Sequence, residues 1–285
     1  MVLRYMRPPR WLMSNLTLRL LTAALLIPLL IAAIEWRDPL GVWLWVFFAQ
    51  VAGLREWLAM TQQDQPVTTR WFGIVLGAAL AAALFWLPSD RVAVLLLCAA
   101  TILVLTFYLF RFRCIEEVAA RSALLLAGLL YTVVLILPLA LFKQRPDGDG
   151  AGWIYLCLTA SWLSDTGAYF AGRFLGPRWP RKLWTRVSPN KTVVGSLGGM
   201  VGTVSAVVVA KLWYLPRLGW VDVALIAVPA NVLGQIGDLC ESLIKRSVGV
   251  KDSGVLLPGH GGMLDRIDAL IFVVPYVYAY ATFIL

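Results

Sequence analysis

Charge is scarce in this chain. Only 14% of its 285 residues are Asp, Glu, Lys or Arg, while 60% are apolar. About a quarter of a soluble globule is charged, so that class is excluded, and a mean hydropathy of +0.77 agrees. Histidine is scarcer still: His260 is the only one, and no cysteine stands near it, which argues against a zinc centre. The four cysteines, Cys98, Cys114, Cys157 and Cys240, are scattered with no CxxC pair. They read as small packing residues rather than a disulfide or metal framework. Acidic residues number 16 against 25 basic ones. In a membrane protein such an excess reflects loops facing anionic lipid as readily as nucleic acid, and no nucleic-acid partner is expected. Internal repeats, low-complexity tracts, the P-loop spacing GxxxxGK[ST] and the DGxxAR pattern of CDP-alcohol phosphotransferases are absent too.

Long apolar runs are abundant. They fall at roughly 16–34, 41–60, 71–88, 91–110, 122–142, 152–172, 193–215, 221–244 and 266–285. Each is long enough for a helix across about 30 Å of hydrocarbon. Helices are expected because backbone amides in lipid must pair internally. The runs are too long and too uniformly apolar for a β-barrel. The fold expected is therefore all-α, a polytopic membrane protein of about nine spans. The run at 16–34 follows Arg4, Arg7 and Arg10 and is read as the first span rather than a cleaved leader. If nine helices alternate, only Arg37, Arg91, Lys143, Arg145, Lys211 and Arg217 of the 25 cations fall on one side, leaving 19 on the other. The positive-inside preference makes the richer side cytoplasmic. The N-terminus and the loops at 173–192 and 245–265 belong to it.

Ionisable residues inside spans are costly, about 2.5–3.5 kcal/mol at a helix centre, and mark cavities or partners. Asp165 stands in WLSDTGAYFAG. Asp238, Glu241 and Lys245, at offsets of three and seven, share one helix face. The simplest reading of Glu241 and Lys245 is an i,i+4 ion pair. Arg55 and Glu56 read as an interfacial pair near the cytoplasmic end of the second run.

Residues 253–262 read SGVLLPGHGG, whose glycines let amide N–H groups turn toward an anion ahead of a helix start. Asp265 and Asp268 follow at i,i+3. Such carboxylates suit Mg²⁺, which takes oxygen ligands and shares substrate phosphates. His260 is a candidate substrate contact. The other basic loop, RFLGPRWPRKLWTRVSPNKT, combines six cations with Trp179 and Trp184 and reads as a segment lying against anionic headgroups. Within it Lys191 is a candidate phosphate ligand. Gly195, Gly198, Gly199 and Gly202 read as close helix packing.

The run SLIKR, four residues, KDSG, LPGHGG, MLDRID over Ser242 to Asp268 resembles the hallmark of phosphatidate cytidylyltransferases, also called CDP-diacylglycerol synthases. SDTGAYFAGRFLG and SPNKT–VG resemble further blocks of that family in the same order, Glu56 matches its second-helix glutamate, and the likeness covers nearly the whole chain. Asn190 stands where many members have glycine.

The resemblance implies that CTP and phosphatidate give CDP-diacylglycerol and pyrophosphate. It also implies a polar funnel in a bacterial inner membrane, open to the cytoplasm, and a homodimer. Asp238, Asp265 and Asp268 are the expected metal ligands, for Mg²⁺ alone or with a second cation. These three with Lys245 are the candidate catalytic residues. Ser188, Lys191, Arg246, Lys251, His260, Arg266, Asp165 and Glu241 are candidate substrate contacts. Residues 1–285 then form one membrane-embedded domain, with scaffold helices in 16–150 and the catalytic helices and loops in 151–285. The competing readings are a CTP-dependent polyprenol kinase and, more remotely, a transporter, which would favour internal repeats and broken helices.

Overall fold

A computed structural model describes residues 15–256 and 261–285, with side chains from residue 22 onward. His260, and the 257–260 part of the glycine loop, lie outside the described residues. The helices are α1 (Asn15–Glu35), α2 (Leu40–Thr61), α3 (Val67–Trp86), α4 (Asp90–Arg111), α5 (Val118–Leu129), α6 (Pro138–Leu141), α7 (Gly150–Phe174), α8 (Val193–Trp213), α9 (Trp220–Ser247) and α10 (Leu264–Phe283). All nine apolar runs lie in helix. Among the described residues, six helical stretches are both long and apolar enough to cross a membrane: α3, α4, Ile115–Gln144, α8, α9 and α10. A count of nine spans is not confirmed. α2 is interrupted by Gln50, Arg55 and Glu56, and α7 by Asp165 and several small polar residues. The chain is a polytopic, almost wholly helical membrane protein.

The stretch through 130–134 is a π-turn, in which Leu135 N–H reaches back to Leu130 O. Nearby, Gln50 Nε2 of α2 donates to Val133 O at 2.8 Å. α2 is thereby fixed to the segment that follows α5.

Two groups of helices share one core. α2, α3, α5 and the π-turn form the first; α7, α8, α9 and α10 form the second, with α10 also against α2. Gly53 of α2 faces the buried Leu264 and Ile267 of α10 where the groups meet, while Leu54 and Leu58 pack against Gly77 and Gly73 of α3. α4 lies outermost, with Leu95, Ile102, Leu105 and Leu109 exposed, as on a face meant for lipid. α7 and α8 are in unusually close contact. A side chain on Gly202 would collide with Leu163 O, and one on Gly198 with Gly167 O and Ala171. The glycine pattern is thus a packing device.

The connection from α7 to α8 is not helical. β1 (Lys182–Trp184) and β2 (Ser188–Thr192) pair antiparallel, Lys182 opposite Thr192 and Trp184 opposite Ser188, with an irregularity between. Beyond the ends of α7 and α8, backbone groups can pair as a hairpin without the helix that hydrocarbon demands. Thr192 then caps α8, its Oγ1 accepting Gly195 N–H at 3.1 Å.

Candidate active site

The face of α9 predicted from spacing exists. Glu241 and Lys245 are buried, and Lys245 Nζ donates to Glu241 Oε2 at 2.9 Å. The same ammonium donates to Asp265 Oδ1 at 2.6 Å, which ties α9 to the first turn of α10. Asp265 Oδ2 accepts the N–H groups of Gly262 at 3.0 Å and Ser253 at 3.1 Å. The carboxylate therefore clasps both ends of the described glycine loop while its charge is met by Lys245. Helix N-termini leave unpaired N–H groups that favour such an anion.

A second carboxylate serves the same helix start from the other half of the molecule. Glu56, buried on α2, accepts Met263 N–H at 3.0 Å, Leu264 N–H at 2.9 Å and Ser253 Oγ–H at 3.0 Å. A Cβ at Gly254 or Gly262 would run into this carboxylate, so two glycines of the loop are there to let it in. The pairing expected between Arg55 and Glu56 does not occur: Arg55 is exposed and Glu56 turns inward, because α2 places adjacent residues about 100° apart.

In front of this cluster is a cavity of about 570 Å³ between α7, the hairpin, α8 and α9. Asp165, Ser188, Lys191 and Asp238 line it, together with Ser196 and Gln235. Lys191 of β2 and Asp238 of α9 form an ion pair across it. Lys191 and Arg266 also act electrostatically on Asp165. Ser242 Oγ donates to Asp238 Oδ1 at 3.4 Å. The rest of the wall mixes polar side chains, Arg173, Asn190 and Thr192 among them, with small or apolar ones such as Ala168, Ala230 and Val273. One space thus offers both charge and hydrocarbon.

The model of the cytidylyltransferase family matches residues 17–284. The chain belongs to this family. Among relatives, it is 44% identical to the phosphatidate cytidylyltransferase of Bacillus subtilis (strain 168) over 132 residues, 46% of this chain and 48% of that one. It is 43% identical over 127 residues to the protein of the same name from Staphylococcus haemolyticus (strain JCSC1435), covering 45% and 48%. Those two matches span about half the length of the relatives. With the phosphatidate cytidylyltransferase of Brucella suis biovar 1 (strain 1330) the identity is 35% over 273 residues, 94% of each chain.

Not all the residues singled out in this cytidylyltransferase-family chain meet. Arg246 is exposed, and its Nη1 donates to Val250 O at 3.1 Å, closing the turn after α9. Lys251 is exposed on the loop, whereas Arg266, exposed at the α10 start, is near enough to act on Asp165. Among the described residues no group of three or more His, Cys, Asp or Glu side chains is arranged to hold one metal ion. The expected convergence of Asp238, Asp265 and Asp268 is therefore not seen. Asp265 has spent both oxygens on Lys245 and the two backbone N–H groups. Asp238 and Asp268 remain near enough to act on each other and on Asp165. Beside Asp268, Glu241 Oε1 is buried with no hydrogen-bond partner among the described residues. Asp238 is met by Lys191 and Ser242, and Asp268 Oδ1 accepts Ala269 N–H at 2.7 Å. Mg²⁺ is content with one or two carboxylates plus substrate phosphate, so the chemistry of Asp238 and Asp268 fits a hard divalent cation once Lys191 lets Asp238 go.

Sequence reasoning missed Tyr131. It lies in the π-turn with its hydroxyl buried and unpartnered among the described residues, within the electrostatic reach of Glu241 and Asp268. The π-turn itself was the signal, since such turns gather at functional sites, but nothing in the residue types announces one.

Proposed function

We propose that this chain transfers the cytidylyl group of CTP to phosphatidate, giving CDP-diacylglycerol and pyrophosphate. Family membership and the names of its relatives support the reaction class. The observation that carries the reading is the Lys191–Asp238 pair in the wall of a cavity whose lining combines charged and polar groups with apolar ones such as Leu183, Ala230 and Val273. Such a lining suits a ligand that is both phosphate and hydrocarbon.

In this reading an oxygen of the lipid phosphate attacks the α-phosphorus of CTP. The new P–O bond forms as the α–β bridging bond breaks, and pyrophosphate leaves with the electron pair. A phosphate is already anionic near neutral pH, so no side chain need act as an obligatory base. The work is positioning and charge neutralisation. Lys191 exchanges Asp238 for a substrate phosphate, which frees a carboxylate oxygen. Ser188, Arg246, Lys251, His260 and Arg266 are the further phosphate contacts proposed. Mg²⁺ on Asp238 and Asp268 would supply additional neutralisation of the triphosphate. Lys245, Glu241 and Asp265 hold the end of α9, the loop and the start of α10 together behind the cavity. Asp165 closes the polar part of the lining. The enzyme acts as a homodimer in the bacterial inner membrane, with the site facing the cytoplasm where CTP is. Residues 16–150 serve as scaffold and 151–285 carry the chemistry.

The test is an assay of the purified chain with phosphatidate and CTP labelled in the cytidine. Label entering lipid, with pyrophosphate released and dependence on a divalent cation, is the expected result. Entry of γ-phosphate label into lipid instead would overturn it in favour of a CTP-dependent lipid kinase.

A further inference from the structure

Between Asp165 and Asp222 the sequence holds no acidic residue. The hairpin region in the middle of that stretch exposes Arg178, Arg181, Lys182 and Arg186. None of the four is in a salt bridge among the described residues, whereas Lys191, on the cavity side, is paired with Asp238. Trp179 and Trp184 are 59% and 58% exposed beside them.

The lining of the cavity separates the two roles. Leu183 lines it, whereas its neighbours Lys182 and Trp184 are exposed and take no part in the lining. On β2, Ser188, Asn190 and Lys191 line the cavity as well. Val187, buried, pins the turn to the body of the protein. The hairpin is therefore a thin wall. One side looks into the site; the other is a cationic and aromatic surface whose four cations meet no carboxylate in a salt bridge among the described residues.

Its place in the chain says what meets that surface. The hairpin leads directly into α8, one of the stretches long and apolar enough to cross a membrane, which puts it at the membrane–water boundary. Indole rings settle at headgroup level, and Lys and Arg near a bilayer are drawn to anionic lipid. We propose that the outward face of the hairpin, built from Arg178, Arg181, Lys182, Arg186, Trp179 and Trp184, docks anionic phospholipid headgroups beside the mouth of the cavity. The lipid contact stands independently of the reaction. Its consequence, a raised local supply of phosphatidate, rests on the function proposed above.

The experiment uses the full chain in phosphatidylcholine bilayers with trace spin-labelled phosphatidylglycerol or spin-labelled phosphatidylcholine. Motional restriction should favour the phosphatidylglycerol probe by roughly threefold or more, and the preference should shrink as salt is raised. The variant Arg178→Gln/Arg181→Gln/Lys182→Gln/Arg186→Gln should bring the ratio close to one, while Arg178→Lys/Arg181→Lys/Arg186→Lys keeps it. A wild-type preference retained by the glutamine variant would overturn the proposal. So would tight binding of polyglutamate without any lipid preference, which would mark an acidic-protein surface. In a turnover assay the glutamine variant should raise the KM for surface phosphatidate severalfold at unchanged kcat. If no form turns over phosphatidate but the probe preference is still lost in the glutamine variant, the docking surface stands and the reaction reading falls.

Discussion

Glu56 on α2 and Leu264 at the start of α10 are joined by a hydrogen bond of 2.9 Å between the carboxylate and the backbone N–H, across 208 positions of sequence. The same carboxylate takes Met263 N–H and Ser253 Oγ–H. One buried anion from the N-terminal helices therefore satisfies two of the open donors at a helix start and fixes the loop that leads to it. Asp265 does the matching task from within α10. The first half of the chain is thus part of what shapes the site.

Replacing Glu56 by Gln keeps the volume but turns one of its two acceptor oxygens into an NH₂ donor, which then faces either Met263 N–H or Leu264 N–H with Ser253 Oγ. Each charge-assisted hydrogen bond lost costs about 1.5–3 kcal/mol. The expected outcome is a protein that still inserts, unfolds at lower temperature in detergent, and turns over at least tenfold more slowly. Glu56→Asp should fall between. Wild-type melting and turnover in Glu56→Gln would show that the loop is held by other means.

How far the sequence disclosed this can be judged from particular residues. Apolar runs give helices because lipid leaves the backbone little choice, and every run is helical. The offsets of Asp238, Glu241 and Lys245 gave one face of α9, and the Glu241–Lys245 pair forms as helical spacing requires. Asp265 in the same ion cluster was not legible, since its distance from Lys245 depends on how the glycine loop folds back. Nor was the inward turn of Glu56, which depends on how α2 packs against α10. Lys191 was singled out as a phosphate ligand, but its pairing with Asp238 follows from a hairpin that no apolar periodicity encodes. Spacing along one helix is local information; contacts between helices are not.

Lys245 neutralises two buried carboxylates, and its loss would leave both exposed to each other. Removing one member of a buried ion cluster costs about 3–5 kcal/mol. Lys245→Met should therefore lower thermal stability sharply and abolish turnover. Adding Glu241→Leu removes one of the stranded charges and should recover part of the stability but none of the activity. A double variant no more stable than Lys245→Met would mean that Glu241 does not depend on Lys245 for its charge.

At the opposite end of the bundle, Asp147 joins the loop before α7 to the loop between α8 and α9. It accepts Arg145 Nε at 3.0 Å and Nη2 at 2.7 Å, and Arg217 Nη2 at 3.0 Å. Partial burial pushes its acid up, but the bonds from Arg145, Asp149 N–H and Arg217 outweigh this and hold it at about 2. The unfolded chain would titrate near an ordinary value of about 3.9. Because the folded value is depressed, the stabilisation is complete above the unfolded value and disappears as pH falls toward the folded one. Between about pH 4 and pH 2 the wild type should lose about 1–2 kcal/mol from this group after allowing for its partial exposure. Asp147→Asn should begin less stable at neutral pH and lack that portion of the acid-induced loss. Parallel pH–melting curves for the two proteins would remove Asp147 from the account of acid sensitivity.

The contact between α7 and α8 separates two glycines that sequence alone treats alike. A Cβ at Gly202 would strike the Leu163 backbone carbonyl, while one at Gly172 meets Thr192 Oγ1 at 3.4 Å and Gly195 Cα at 3.8 Å, ordinary contact distances. A carbonyl in a helix cannot swing aside as a side chain can, so Gly202→Ala must push α7 bodily. Overpacking of this kind costs about 1–3 kcal/mol. Since α7 carries Ser164 and Asp165 into the cavity wall, the displacement should reach the site and lower turnover with stability. Gly172→Ala meets no such obstacle and gains up to about 1 kcal/mol of helix propensity, so its melting temperature should equal or exceed that of the wild type. The two variants therefore oppose propensity to packing within one interface. If Gly202→Ala melts as high as Gly172→Ala, α7 and α8 are free to separate, and the small-residue stripe does not set the width of the cavity.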